Sequence, residues 1–193
     1  MFIIEDGTGD SHKVKVDSEN RLSTLATTES IQQHISTNQK QAYQVIGTAT
    51  LASGTVTSLH LENTSTTRNM FVTYIRHQII DPSGGTALPN ASNYMTMGLG
   101  RTVSSGGSTT TPVNVFSGAS NVAEVTATQG APTLSGTARE IDRWYTKAEA
   151  DMNSFSKEGA LILPPSQTLE VSYVGDHTSG TLYSRVSFIM DTI

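Results

Sequence analysis

Leu169-Glu170-Val171-Ser172-Tyr173-Val174, the run Gly175-Asp176-His177-Thr178-Ser179-Gly180, and Thr181-Leu182-Tyr183-Ser184-Arg185-Val186-Ser187-Phe188-Ile189-Met190 decide the fold. Leu169, Val171 and Tyr173 alternate with Glu170, Ser172 and Val174. After the Gly/Ser/Asp-rich turn, Leu182, Val186, Phe188 and Met190 share one face of a second run. Alternation at period two, broken by turn residues, predicts two half-buried antiparallel strands joined as a hairpin. In such a turn Asp176 and the glycines serve the backbone rather than chemistry.

The same pattern extends back along the chain. Residues 56–62 alternate, with Thr57, Leu59 and Leu61 against Ser58, His60 and Glu62. Residues 70–80 carry β-branched and aromatic side chains on both faces, which predicts a strand placed centrally in a sheet. Asp81-Pro82-Ser83-Gly84-Gly85 ends it, because proline cannot donate to a ladder. Residues 88–93 read as a loop. Residues 94–99 read as a short strand, with Met95, Met97 and Leu99 on one face. Ser104-Ser105-Gly106-Gly107-Ser108 reads as a long hairpin tip rather than a domain linker, since a first flank burdened with an arm would hold too little core. Further strands are expected at 113–116, 122–128 and 160–163, the last stopped by Pro164-Pro165; residues 147–152 suggest a helical turn. The expected class is all-β: an antiparallel β-sandwich, jelly-roll-like, with an extended N-terminal arm.

That arm and its linker occupy residues 1–43, and the sandwich occupies residues 44–193. Phe2-Ile3-Ile4 is a short apolar handle, followed by the turn cluster Asp6-Gly7-Thr8-Gly9-Asp10 and the alternating Lys13-Val14-Lys15-Val16. A brief, apolar, turn-rich segment buries little against itself, so it is expected to fray or to dock on a neighbour. Ile31 and Ile35, four apart behind a possible Thr28 cap, allow a short helix or an extended linker.

Composition bounds the function. The chain has 193 residues and carries 15% charged side chains, against about 25% in an ordinary soluble domain. Hydroxyl side chains fill the difference. They suit strands that meet other protein surface, because desolvating a hydroxyl costs far less than desolvating a charge; a β protein's general liking for threonine explains them equally well. A net charge of −5 argues against nucleic acid as a partner. With no cysteine, disulfide and thiolate chemistry are excluded, and a structural zinc site is disfavoured. No secretion signal is expected at the N-terminus, and no apolar stretch reaches the ~20 residues that span a bilayer.

Motifs for catalysis or metal binding are weak throughout. His12, His34, His60, His77 and His177 match no HExxH or HxH spacing. His60 and Glu62 share a strand face and read as a polar pair on a solvated sheet. Asp6, Thr8 and Asp10 fall on alternate positions as in a calcium loop, but Ser11 stands where glycine belongs and Asp17 where glutamate belongs. Gly98-Leu99-Gly100 lacks the rest of a dinucleotide fingerprint, and there is no GxSxG elbow. Glu140, Asp142 and Glu158 are the carboxylates a glycosidase pair would need. Beside Arg139 and Arg143 they read better as an ion-pair patch around a packed tryptophan. Trp144 and Tyr145 have the residue types that stack on a sugar, and also those that fill a core. Asn63-Thr64-Ser65 and Asn90-Ala91-Ser92 match a glycosylation pattern that has no meaning without secretion. No catalytic residue, cofactor or metal site is therefore expected. The candidate interaction residues are Phe2, Ile3, Ile4, Trp144 and Tyr145.

Three stretches carry a resemblance. Gly7-Thr8-Gly9 runs into Lys13-Val14-Lys15-Val16-Asp17-Ser18-Glu19-Asn20-Arg21-Leu22. The others are Gly136-Thr137-Ala138-Arg139-Glu140-Ile141-Asp142-Arg143-Trp144-Tyr145 and Asp151-Met152-Asn153-Ser154-Phe155-Ser156-Lys157-Glu158-Gly159. With the closing Arg185-Val186-Ser187-Phe188 strand, they resemble small structural proteins of tailed-bacteriophage virions. The resemblance implies a multicopy, trimeric sandwich subunit without an active site. It would be assembled in the host bacterial cytoplasm and located in the virion, where it decorates or cements the capsid against the major capsid protein or other virion proteins. Alternatives within and beyond that reading are a tail or fibre-adaptor component and a carbohydrate- or receptor-binding β module. Neither a nucleic acid nor a membrane partner is implied.

Overall fold

The computed structural model describes residue 35 and residues 39–80, 93–145 and 153–191, with the backbone alone for 153–160. Phe2, Ile3 and Ile4, the 13–16 alternation, the calcium-like run 6–17, the turn at 81–85 and the expected helical turn at 147–152 lie outside the described residues. So does most of the 28–35 segment.

Among the described residues the secondary structure is strand: β1 (Ala42–Thr50), β2 (Gly54–Asn63), β3 (Asn69–Ile80), β4 (Tyr94–Leu99), β5 (Thr102–Ser105), β6 (Ser108–Thr110), β7 (Val113–Asn114), β8 (Val125–Gln129), β9 (Thr133–Ser135), β10 (Arg139–Tyr145), β11 (Asn153–Leu163), β12 (Thr168–Gly175) and β13 (Thr181–Asp191). A five-stranded sheet runs β11-β3-β13-β1-β7, and a six-stranded sheet runs β10-β4-β12-β2-β8-β6. Both are antiparallel, and β5 with β9 forms a separate two-stranded ribbon. The fold is an all-β sandwich.

The alternation read from the sequence supplies the core. Tyr43, Val45 and Ala49 of β1, Ile75 and Ile79 of β3, and Leu182, Val186, Phe188 and Met190 of β13 are buried on the inner face of one sheet. Val56, Leu59 and Leu61 of β2, Met95 and Met97 of β4, and Leu169, Val171 and Tyr173 of β12 are buried on the inner face of the other, in one continuous cluster. Full burial of each such Val, Leu, Ile, Phe or Met side chain stabilises by about 1.5–3 kcal/mol. Tyr43 stacks on Phe188 with ring centroids 5.6 Å apart.

The arrangement departs from the sequence reading in several places. The 169–190 stretch is not a hairpin. β12 pairs with β2 and β4, whereas β13 pairs with β1 and β3, so residues 175–180 carry the chain from one sheet to the other. A loop this long need not close a ladder, and side chains fix the crossing: Tyr173 Oη donates to Asn93 Oδ1 at 2.6 Å and accepts from His177 N at 3.1 Å. Simple alternation in β2 fails at Ser58. Leu59 faces Val171 and Thr57 faces Ser172, leaving Ser58 as an extra residue. This bulge moves Thr57 to the outer face, where its Oγ1 lies 2.9 Å from Ser172 Oγ.

Residues 104–108 are not a hairpin tip either. β5 pairs with β9 and β6 with β8, and Gly106 and Gly107 turn between them at φ 69° and 74°, a conformation that glycine tolerates. The strand expected at 122–128 starts at Val125, with Val122 exposed before it; the one expected at 113–116 is only Val113–Asn114. The strand at 160–163 extends back to Asn153. Residues 70–80 lie inside the five-stranded sheet as expected, flanked by β11 and β13.

Candidate interaction surfaces

Three groups of side chains go beyond core packing. The first is at the edge strand β10. Trp144 pairs with Met95 and Tyr145 with Tyr94, so the two aromatics point to opposite faces. Trp144 turns inward, packs on the core cluster and donates its indole N–H to His77 Nε2 of β3 in the opposing sheet. The two rings lie 4.7 Å apart. An acceptor at Nε2 requires neutral imidazole, and burial holds the His77 pKa down to about 4. The sole tryptophan thus ties the sheets together at an open edge. Tyr145 turns outward, is 54% exposed, and meets Tyr94 edge-on at 6.1 Å. The Arg143 guanidinium stacks 4.1 Å over Tyr94 and clasps Glu140 through two hydrogen bonds, of 2.8 and 2.9 Å. That bond holds the Glu140 carboxyl below the ordinary glutamate range. The ion-pair reading of this segment matches the geometry for Arg143 and Glu140. The side chain of Glu158, the third carboxylate, is outside the described residues.

The second group lies on the outer face of the six-stranded sheet. Glu170, 4% exposed, accepts from Arg101 Nη1 at 3.3 Å. Arg101 also donates Nη2 to Leu134 O of the ribbon at 3.2 Å, and its own carbonyl lies 2.9 Å from His60 Nε2. Gly98 has no side chain because Glu170 fills the space: a Cβ there would sit 2.8 Å from Oε1. Burial raises the Glu170 pKa, and Arg101 opposes the rise. Contrary to the sequence reading, His60 is buried beneath this cover rather than part of a solvated pair with Glu62. The sequence reading missed Arg101 as its anchor; no local spacing links position 101 to 60 and 170. These contacts pin the ribbon to the sheet.

The third group is on the outer face of the five-stranded sheet. At one end Ile35, Ala42, Ile189 and Phe71 pack into a small satellite cluster. Further along, Arg76 of β3 stands directly opposite Arg185 of β13, which stands opposite Ile46 of β1. Arg185 stacks 5.3 Å over Tyr74, and its Nε is buried without a hydrogen-bond partner. Ile46, Ile80 and Tyr183 are exposed here. Together with Gln78 these residues line an open depression of about 240 Å³. At the β7 edge, Val113, Val115, Phe116 and Val122 form a further exposed apolar stretch.

Among the described residues no group of three or more His, Cys, Asp or Glu side chains converges as a metal site would, and no helix is long and apolar enough to cross a membrane. Of the sequence-derived candidates, Trp144 is a bridge between the sheets, Tyr145 is a surface residue, and Phe2, Ile3 and Ile4 fall outside the described residues. No protein-family model, curated protein or solved structure matches the chain.

Proposed function

We propose that this chain is a non-enzymatic structural protein of a tailed-phage virion, a multicopy subunit that decorates or cements the capsid through protein–protein contacts. The supporting observation is the outer face of the five-stranded sheet. There, exposed isoleucines and a tyrosine surround two arginines on a backbone fixed by long ladders. Tyrosine and arginine beside apolar residues are the side chains that dominate protein interfaces. The polar contacts beneath the ribbon support the same reading: Arg101, Glu170 and His60 serve to hold a ribbon on a sheet. The three sequence stretches that resemble virion structural proteins direct the reading to a capsid, with the trimer as the expected assembly and the major capsid protein as the expected partner.

Image reconstruction of whole particles tests the location. Density for this sandwich on the capsid lattice is the expected result, and its absence from purified particles overturns the proposal. Deleting residues 1–16 tests the arm: the truncated protein is expected to stay folded and soluble but to leave the particle, and unchanged incorporation sinks the arm's role.

A second reading rests on Tyr145, whose exposed ring at the β10 edge, set edge-on against the half-buried Tyr94, suits a carbohydrate- or receptor-binding surface. Glycan-array binding that disappears in Tyr145→Ala would favour it. Trp144→Ala is a poor probe of this reading, because that ring faces the sandwich interior.

A further inference from the structure

The outer face of the five-stranded sheet has a specific chemical demand. Arg76 and Arg185 are directly opposed across β3 and β13. Like charges in that relation destabilise a sheet, because the side chains stand about 5 Å apart at Cβ. Among the described residues neither arginine has an acidic partner: the ion pairs there are Arg68–Glu124, Arg101–Glu170 and Arg143–Glu140. The Nε of Arg185 is buried and unbonded. Around the two cations, Ile46 is 50% and Ile80 is 43% exposed, and Tyr183 closes the rim. An occupant that satisfies this surface carries carboxylates next to large apolar side chains, in a segment narrow enough for a shallow depression.

The chain itself contains such a segment. Phe2-Ile3-Ile4-Glu5-Asp6 places three large apolar residues beside two carboxylates, and the first twelve residues contain no lysine or arginine. Ile35, which follows that segment in sequence, is buried on this face against Ala42, Phe71 and Ile189. A stretch of 28 residues, the length of 7–34, spans at most about 90 Å when fully extended. We propose that the Phe2–Asp6 segment of a second copy docks in the depression between Arg76, Arg185, Ile46 and Tyr183. Its carboxylates engage the two guanidiniums and its apolar residues cover the exposed isoleucines. This inference rests on the structural-subunit reading and names the partner of that surface. Charge-assisted bonds to planar guanidiniums fix the register, and the apolar anchors supply most of the affinity. In a shell of repeated copies the tether raises the local concentration of the segment into the range where a short sequence suffices.

The absence of cysteine makes the test direct. Purified full-length Ile4→Cys and Ile46→Cys chains are mixed and oxidised, and mixed disulfides are measured on non-reducing gels and located by mass spectrometry. The control mixture pairs Ile4→Cys with Ser104→Cys, which lies on the ribbon of the other sheet. Mixed dimer is expected in at least about tenfold excess over the control, and is expected to fall by about the same factor when Arg76→Glu and Arg185→Glu are added, the loss that corresponds to about 1.4 kcal/mol of charge pairing. Adding Glu5→Lys and Asp6→Lys to the partner chain should restore it, which separates lost docking from lost folding. Yields equal to the control overturn the proposal. So does ring closure within an Ile4→Cys/Ile46→Cys chain without mixed dimer, because the segment then docks on its own molecule. The assay contains no particles, so its failure leaves the capsid reading standing. Chains that cross-link as expected yet stay off particles overturn that reading alone.

Discussion

Acid should weaken this sandwich through His77, and the effect is large enough to isolate. The imidazole is 1% exposed on the inner face of β3 and accepts the Trp144 indole N–H at Nε2. Burial lowers its pKa from 6.5 to about 4. The unfolded chain takes up the proton near the higher value and the folded chain only near the lower one. Stability is therefore lost as pH falls through that interval, by about 2 kcal/mol between pH 7 and pH 5 and by about 3 kcal/mol once both forms are protonated. His77→Gln keeps an acceptor for Trp144 and removes the titration. The assay is urea unfolding at several pH values, followed through the fluorescence of Trp144, the sole tryptophan. The variant is expected to start lower at pH 7, because glutamine packs less well than the ring. It should then lose less stability on acidification, so that the two curves converge toward pH 5. Parallel curves for the two chains would refute the reasoning, because the imidazole would then titrate alike in both states.

Three further perturbations follow from other sites. Ser58→Ala removes the bulge hydroxyl that donates to Val171 O at 3.0 Å and lies 2.6 Å from Ser184 Oγ. It should cost about 1–3 kcal/mol in urea unfolding by leaving Ser184 unpaired between the sheets. Gly98→Ala brings a Cβ to 2.8 Å from Glu170 Oε1. It should destabilise by about 1–3 kcal/mol through overpacking, and a neutral result would mean that Glu170 swings aside freely. Arg101→Met strips Glu170 of its ion-pair partner and the ribbon of its bond at Leu134. The expected loss is on the order of 3 kcal/mol, with faster amide exchange concentrated in 102–105 and 133–135; uniform exchange changes would show that the ribbon is held by other contacts.

Most of the core was legible in the sequence, and the reason is visible in β12 and β13. Leu169, Val171 and Tyr173 are all buried on one face, as are Leu182, Val186, Phe188 and Met190, because a half-covered strand must place its apolar side chains at every second position. Which strands pair was not legible there. The same alternation serves a hairpin and a crossing between sheets equally well. The choice was made at a distance, by Asn93 gripping Tyr173 and by β1 and β3 taking both sides of β13. Bulges were equally hidden: Ser58 and Ile141 each add one residue without altering local composition. The β10 edge was half legible. The cluster of charge and aromatics at 139–145 announced an unusual strand, but only the register with β4 reveals that Trp144 turns in and Tyr145 turns out. The arginine pair was invisible for a similar reason, since positions 76 and 185 meet only when β3 and β13 align.

The two sheets treat their charges in opposite ways, and that contrast carries the functional argument. On the six-stranded sheet, Glu170 and Arg101 are covered by the β5–β9 ribbon and neutralise one another. On the five-stranded sheet, two cations face each other at the surface with no acidic partner among the described residues and with apolar side chains around them. Opposed like charges cost a few tenths of a kcal/mol or more, and replacing either arginine by threonine would relieve that cost without disturbing the pleat. Exposed apolar residues next to them add an aggregation hazard rather than stability. Both costs are offset when a partner supplies carboxylates and covers the isoleucines. An unoccupied outer face is therefore the less stable state of this sheet, and replacing Arg76 and Arg185 together by threonine should raise the stability of the isolated protein while weakening its association, by no more than the roughly tenfold expected of charge reversal.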